Sequence, residues 1–140
     1  MGEYRMIGFA VVGLGMGKNR AALIHRTDGA DLKLLVDVNA EVAESVASEL
    51  ETEWTTELDA ALDRDDVDAI VVMTPSGTHA EIGCRGAEAG KHVITTKPMD
   101  VSTAACDRLI DTCERAGVLC AVDYQSRYID NNVRVAEGLQ

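Results

Sequence analysis

Four short stretches carry residue types that could do chemistry together. The first is Val11-Val12-Gly13-Leu14-Gly15-Met16-Gly17-Lys18. Gly13 permits a tight turn and Gly15 lets an anion approach the backbone. A helix opening there aims N–H groups and its positive dipole end at a pyrophosphate. The spacing departs from G-x-G-x-x-G, because the third glycine should fall at Lys18 and Gly17 is one residue early. The second is Asp37, 24 residues after Gly13, where a carboxylate can accept hydrogen bonds from the hydroxyls of an adenosine ribose. The third is Thr74-Pro75-Ser76-Gly77-Thr78-His79. Pro75 stiffens this turn, Ser76 or Thr78 can cap the next helix, and His79 either serves the turn or is a satisfied local partner. The fourth is Thr95-Thr96-Lys97-Pro98-Met99-Asp100. A lysine just before a chain-breaking proline is aimed into a crevice, where it can stabilise a carbonyl or developing alkoxide oxygen.

Each stretch alone has a plainer reading: an ordinary turn, a loop carboxylate near Asn39, a surface lysine. Their order and spacing point instead to a dinucleotide. Val38 and Asn39 supply no arginine for a 2′-phosphate, so NAD is expected in preference to NADP.

The elements that must hold these residues are readable as well. Ile7–Val12, Leu32–Val36, Ala69–Met73, His92–Thr95 and Val118–Val122 are short, nearly continuous apolar runs. They read as strands buried on both faces, with a weaker strand near Trp54-Thr55. Between them lie helical stripes: Val42, Ala43, Val46, Ala47 and Leu50; Leu58, Ala61 and Leu62; Ala105, Cys106, Leu109, Ile110 and Cys113. Gly90 and Gly117 stand where helices end. This β-α alternation predicts a doubly wound α/β fold with a parallel sheet. Ligands of such sheets bind outside the carboxyl ends of the strands, and all four stretches lie at those ends.

Composition narrows the function classes. The 140 residues make one domain. The net charge is -11, and residues 41–70 hold eleven acids and one base. Nucleic acid is not expected as a partner, since phosphate is bound by Lys and Arg. No apolar run reaches the length of a membrane span, and Met1-Gly2-Glu3-Tyr4-Arg5 lacks the features of a secretion signal. A cytoplasmic protein follows as the expectation. Cys84, Cys106, Cys113 and Cys120 form no C-x-x-C and read as small core hydrophobes; no metal is expected.

With the four motifs in order, the chain resembles the N-terminal domain of the glucose–fructose oxidoreductase, inositol dehydrogenase and MocA (Gfo/Idh/MocA) family. The resemblance rests on Gly13-Leu14-Gly15-Met16-Gly17, Val36-Asp37-Val38-Asn39, Asp66-Val67-Asp68-Ala69-Ile70, Thr74–His79, Gly90-Lys91-His92-Val93, Lys97-Pro98 and Val122–Tyr128. It implies a Rossmann NAD-binding domain over residues 1–128. Gly13, Leu14, Gly15 and Met16 would lie along the cofactor, Asp37 on its ribose, and Thr74, Pro75, Ser76 and His79 at its middle. Lys97 matches the family's active-site lysine, and Thr96 stands where that motif usually has Glu. Gln125 matches a position near the nicotinamide. The resemblance further implies a second α/β domain, absent from this chain, that binds substrate, supplies a catalytic histidine and builds a homo-oligomer interface. Residues 129–140, with Ile129, Val133, Ala136 and Leu139 or Gln140 on one face, would begin the helix leading to it. The small-molecule substrate would be a polyol, sugar or related alcohol, oxidised by hydride transfer. A non-catalytic NAD(H)-sensing regulatory domain is the alternative, although such a domain has no need of Lys97-Pro98.

Overall fold

The computed structural model describes residues 5–139; residues 1–4, used in the leader argument, and Gln140 lie outside the described residues. Among the described residues six strands form one sheet: β1 (Ile7–Val12), β2 (Ala30–Val36), β3 (Glu53–Thr55), β4 (Ala69–Val72), β5 (His92–Thr96) and β6 (Cys120–Asp123). Their order is β3-β2-β1-β4-β5-β6 and every pairing is parallel. The helices are α1 (Gly17–His25), α2 (Ala40–Leu50), α3 (Leu58–Leu62), α4 (His79–Glu88), α5 (Thr103–Ala116) and α6 (Asp130–Gly138). The chain thus has the α/β doubly wound fold expected from its apolar pattern, with strand ends displaced by one or two residues.

Alternation along the strands divides the core into two layers. Val11, Leu35 and Val71 pack with Ala21, Ala43 and Ala47 of α1 and α2. Val12, Ile70, Val72 and Val93 pack with Ala80, Cys84, Leu109 and Cys113 of α4 and α5. Because successive strand side chains point to opposite faces, a strand with helices on both sides must be apolar throughout, and every residue of β4 is buried. β6 departs from that expectation. Among the described residues it is an edge strand beside β5, and Ala121 is exposed.

The helical stripes are slightly rotated from the periodic reading. Val42 of α2 and Ile110 of α5 lie at the solvent edge, while Thr112 of α5 is buried. The helix ends follow local chemistry. Asn39 accepts the Glu41 and Val42 N–H groups at the start of α2, and Ser102 accepts that of Ala105 at the start of α5. Gly90 and Gly117 take φ of 77° and 68° after α4 and α5, a left-handed conformation that glycine adopts without a Cβ penalty. All four cysteines are free. Cys84 and Cys113 are buried, whereas Cys106 and Cys120 are only half-buried. Burial pushes the Cys113 thiol up to about 12, with Cys120 and Cys84 adding to it, as suits a core thiol.

α6 begins at Asp130 rather than Ile129 and buries no residue. It is tied to the turn before it, where Asn132 Nδ2 donates to the Ser126 carbonyl at 2.8 Å. Among the described residues no helix is long and apolar enough to cross a membrane.

Candidate functional site

β1 ends at the point where the sheet winds in both directions, towards β2 on one side and β4 on the other. Such a switch point leaves a crevice beyond the strand ends. A cavity of about 690 Å³ occupies it, with Gly13, Gly15, Asp37, Thr74 and Pro75 in its walls. A second cavity of about 390 Å³ continues past Met16, Thr74, Pro75 and Ser76 to Thr96, Lys97 and Gln125.

The glycine turn is built by packing. Gly13 has φ +88°, and a Cβ there would sit 2.9 Å from the Met73 carbonyl carbon and the Thr74 nitrogen. Its N–H donates to the Val36 carbonyl at 2.8 Å. A Cβ on Gly15 would meet nothing within 4 Å, so the open space above it is where a bulky anion can approach. Gly17 is the first residue of α1, and a Cβ there would lie 3.1 Å from Met73 Cβ and 3.2 Å from Val11 Cγ1. Gly17 therefore allows the close helix–strand packing expected of a glycine at position 18, and the loop is one residue shorter than the fingerprint. Met16 caps α1 without a side-chain hydrogen bond and is exposed, so this helix start has N–H groups for an anion. Leu14 turns its side chain into the core and leaves its backbone at the cleft.

Asp37 follows β2 and is half-buried. Its Oδ2 accepts the Leu14 N–H at 2.7 Å and its Oδ1 accepts the Asn39 N–H at 2.9 Å. A carboxylate has about four lone-pair sites, so two bonds orient it and leave capacity for two ribose hydroxyls. These features fit a dinucleotide: an open glycine, an uncapped helix start and an oriented carboxylate along one cleft.

The third stretch forms a short 3-10 turn over Ser76–Thr78. Neither Ser76 nor Thr78 caps α4. Thr78 Oγ1 donates to the Pro75 carbonyl at 2.7 Å and lies 2.8 Å from Thr74 Oγ1. The hydroxyl is spent inside its own turn. The cap comes from elsewhere: Asp100 Oδ2 accepts the Ala80 N–H at 2.8 Å. Burial works to raise the Asp100 carboxyl, but the Ala80 and Val101 N–H groups, with His79 and Arg108, hold it below the ordinary carboxylate value.

His79 is wholly buried. Its ring nitrogens face the Thr74 and Pro98 carbonyls at 2.7 and 2.9 Å, and it is absent from the walls of both cavities. Lys97 is exposed at the end of β5, joined to Pro98 by a cis peptide. It shares the second cavity with Thr96 and Gln125. His25 is exposed at the end of α1, and His92 lies at the start of β5, where it accepts the Leu119 N–H; both are away from the crevice. Among the described residues no group of three or more His, Cys, Asp and Glu side chains could hold a metal ion.

Several site residues are not signalled by the motifs. Thr56, Leu58, Ile82 and Arg85 line the far end of the first cavity, and Arg85 is paired with Asp59. Ile82 and Arg85 stand three residues apart, a helical spacing that could have marked the face of α4 turned to the cleft. Arg20 of α1 donates from Nε to Asp123 Oδ2 at 2.6 Å, across 103 residues of sequence; no local signal announces that pair.

Residues 7–124 match the GFO_IDH_MocA family, the oxidoreductase family with an NAD-binding Rossmann fold. The chain is 31% identical over 136 residues to 2,7-anhydro-N-acetylneuraminate hydratase of Mediterraneibacter gnavus, covering 96% of this chain and 36% of that protein. It is 32% identical over 136 residues to scyllo-inositol 2-dehydrogenase (NAD(+)) of Bacillus subtilis, covering 92% and 40%. Among solved structures it resembles GenD2 from gentamicin A biosynthesis in complex with NAD, with TM-score 0.92, 33% identity, and coverage of 98% of this chain and 40% of that one. The chain thus spans only 36% to 40% of the length of these proteins.

Proposed function

This chain belongs to the GFO_IDH_MocA family of oxidoreductases, and we propose that it is the cofactor-binding half of an NAD-dependent dehydrogenase of a small polyol, sugar or related alcohol. The observation that carries this reading is a pair of adjoining cavities that share Met16, Met73, Thr74 and Pro75, the first lined by Asp37 and Gly15 and the second by Lys97 and Gln125. Gly13, Leu14, Gly15 and Met16 would lie along the cofactor, with the start of α1 facing its pyrophosphate, and Asp37 would meet the adenosine ribose. Thr74, Pro75 and Ser76 would flank the middle of the cofactor, with Thr96, Lys97 and Gln125 at its nicotinamide end. NAD is favoured over NADP because the Asp37 carboxylate would repel a 2′-phosphate.

When bound, the nicotinamide accepts or donates a hydride. The chain's own contribution is placement and charge. Lys97 would donate a hydrogen bond to the substrate oxygen, stabilise negative charge there and assist its proton transfer. The second domain implied by the family would close over the substrate and exclude water, and would carry the homo-oligomer contact. Four free thiols suit a reducing, cytoplasmic setting. Calorimetric titration of the chain with NAD and NADP tests the reading. Saturable NAD binding that Gly15→Ala weakens supports it, and absence of binding refutes it.

A further inference from the structure

His79 sits where two turns meet. It opens α4 and has no exposed surface. Nε2 lies 2.7 Å from the Thr74 carbonyl oxygen and Nδ1 lies 2.9 Å from the Pro98 carbonyl oxygen. A carbonyl oxygen can only accept. A neutral imidazole donates from one nitrogen and presents a lone pair on the other. A neutral ring here would therefore set a nitrogen lone pair against an oxygen lone pair at hydrogen-bond distance in a wholly buried position. That arrangement loses a buried hydrogen bond and adds repulsion. A ring with hydrogen on both nitrogens satisfies both carbonyls. Asp100, one residue past Met99 on the Lys97 turn, caps α4 through the Ala80 N–H, and His79 is among the groups that hold its carboxyl low.

The two carbonyls belong to different parts of the crevice. Thr74 leads into Pro75 and Ser76, which wall the second cavity, and Pro98 directly follows Lys97, which walls the same cavity from the other side. We propose that His79 is a doubly protonated cross-tie, a positioning residue that locks the turn carrying Lys97 to the turn lining the cofactor cleft. This rests on the reading of Lys97 as the group that serves the substrate. Loss of one tie would let the Pro98 carbonyl move, and Lys97 with it, while the glycine turn and Asp37 stay in place. Misplacement of about 1 Å can cost on the order of a hundredfold in rate.

Two measurements decide it. Long-range proton–nitrogen correlation spectra of the chain, with His79 assigned, read the ring directly in neutral buffer. Two nitrogens with N–H character and slowly exchanging ring protons are expected; one unprotonated nitrogen overturns the proposal. In the full-length enzyme, His79→Gln can donate to one carbonyl and His79→Phe to neither. The expected result is a fall in kcat of about tenfold or more for both, greater for Phe, with the KM for NAD nearly unchanged. Folded variants with unchanged kcat, or with an effect confined to the KM for NAD, overturn it. Should the variants fail to fold, the spectra of the unaltered chain still decide. If the unaltered chain binds no NAD, the cofactor reading fails while the state of the ring is still measured.

Discussion

The carboxylate of Asp37 accepts the backbone N–H of Leu14 at 2.7 Å, joining the end of β2 to the glycine turn after β1. One side chain thereby closes the glycine turn and, on the proposed reading, would also meet the ribose. NAD should bind about tenfold or more tightly than NADP, a difference of about 1.4 kcal/mol. Asp37→Ala should abolish that preference and lower stability by about 1 kcal/mol through the lost bond. Calorimetry with both cofactors is the measurement; equal affinities in the unaltered chain would remove Asp37 from its assigned role.

Gly13 and Gly15 should separate stability from binding. Gly13→Ala forces a Cβ against backbone 2.9 Å away at φ +88°, and should cost about 1–3 kcal/mol in urea unfolding. Gly15→Ala meets nothing within 4 Å, so stability should stay within about 0.5 kcal/mol while NAD affinity falls about tenfold. The reverse pattern would contradict the assignment of the open space above Gly15 to the pyrophosphate.

Lys97→Ala, made in the full-length enzyme, should reduce turnover by about a hundredfold or more, the usual worth of a positioned acid–base group. NAD affinity should hardly change. A variant that binds NAD poorly but turns over normally at saturation would make Lys97 a cofactor contact alone.

Asp100→Ala removes a cap delivered to α4 from 20 residues away, and should destabilise the fold by about 1–2 kcal/mol. The Asp100 carboxyl is held below its ordinary value despite burial, by the Ala80 and Val101 N–H groups, His79 and Arg108. Its contribution is therefore complete above the ordinary carboxylate value of about 4 and is lost as pH falls through the lowered one. Acid unfolding followed by circular dichroism should show the variant converging on the unaltered protein at low pH. A constant gap between the two curves would assign the loss to something other than the charged cap.

The chain by itself should bind NAD without turning over polyols or sugars, because among the described residues the crevice is walled from one sheet end and would leave a substrate open to water. An activity screen beside the full-length enzyme checks this. Comparable turnover by both would place a complete site within these 140 residues.

The residues alone determined the fold class and the axis of the crevice. Runs such as Ala69–Met73 are apolar at every position because helices must cover both faces of an inner strand, and that requirement is written in local composition. The position of Asp37 beside the glycine turn was legible because a β-α-β unit sets its distance from Gly13. Gly90 and Gly117 were legible because a left-handed helix end favours glycine wherever it occurs. The tertiary structure alone decided which groups meet. Gly17 takes the place of the absent third glycine because Met73 and Val11 lie 3.1 and 3.2 Å from where its Cβ would be. The α4 cap falls to Asp100 and not to Ser76 or Thr78, His79 faces two carbonyls rather than the cleft, and Arg20 finds Asp123 across 103 residues. Local patterns report the period and burial of single elements. Hydrogen bonds between elements depend on strand order and on which loop ends arrive side by side, and neither is encoded in the spacing of residues along one segment.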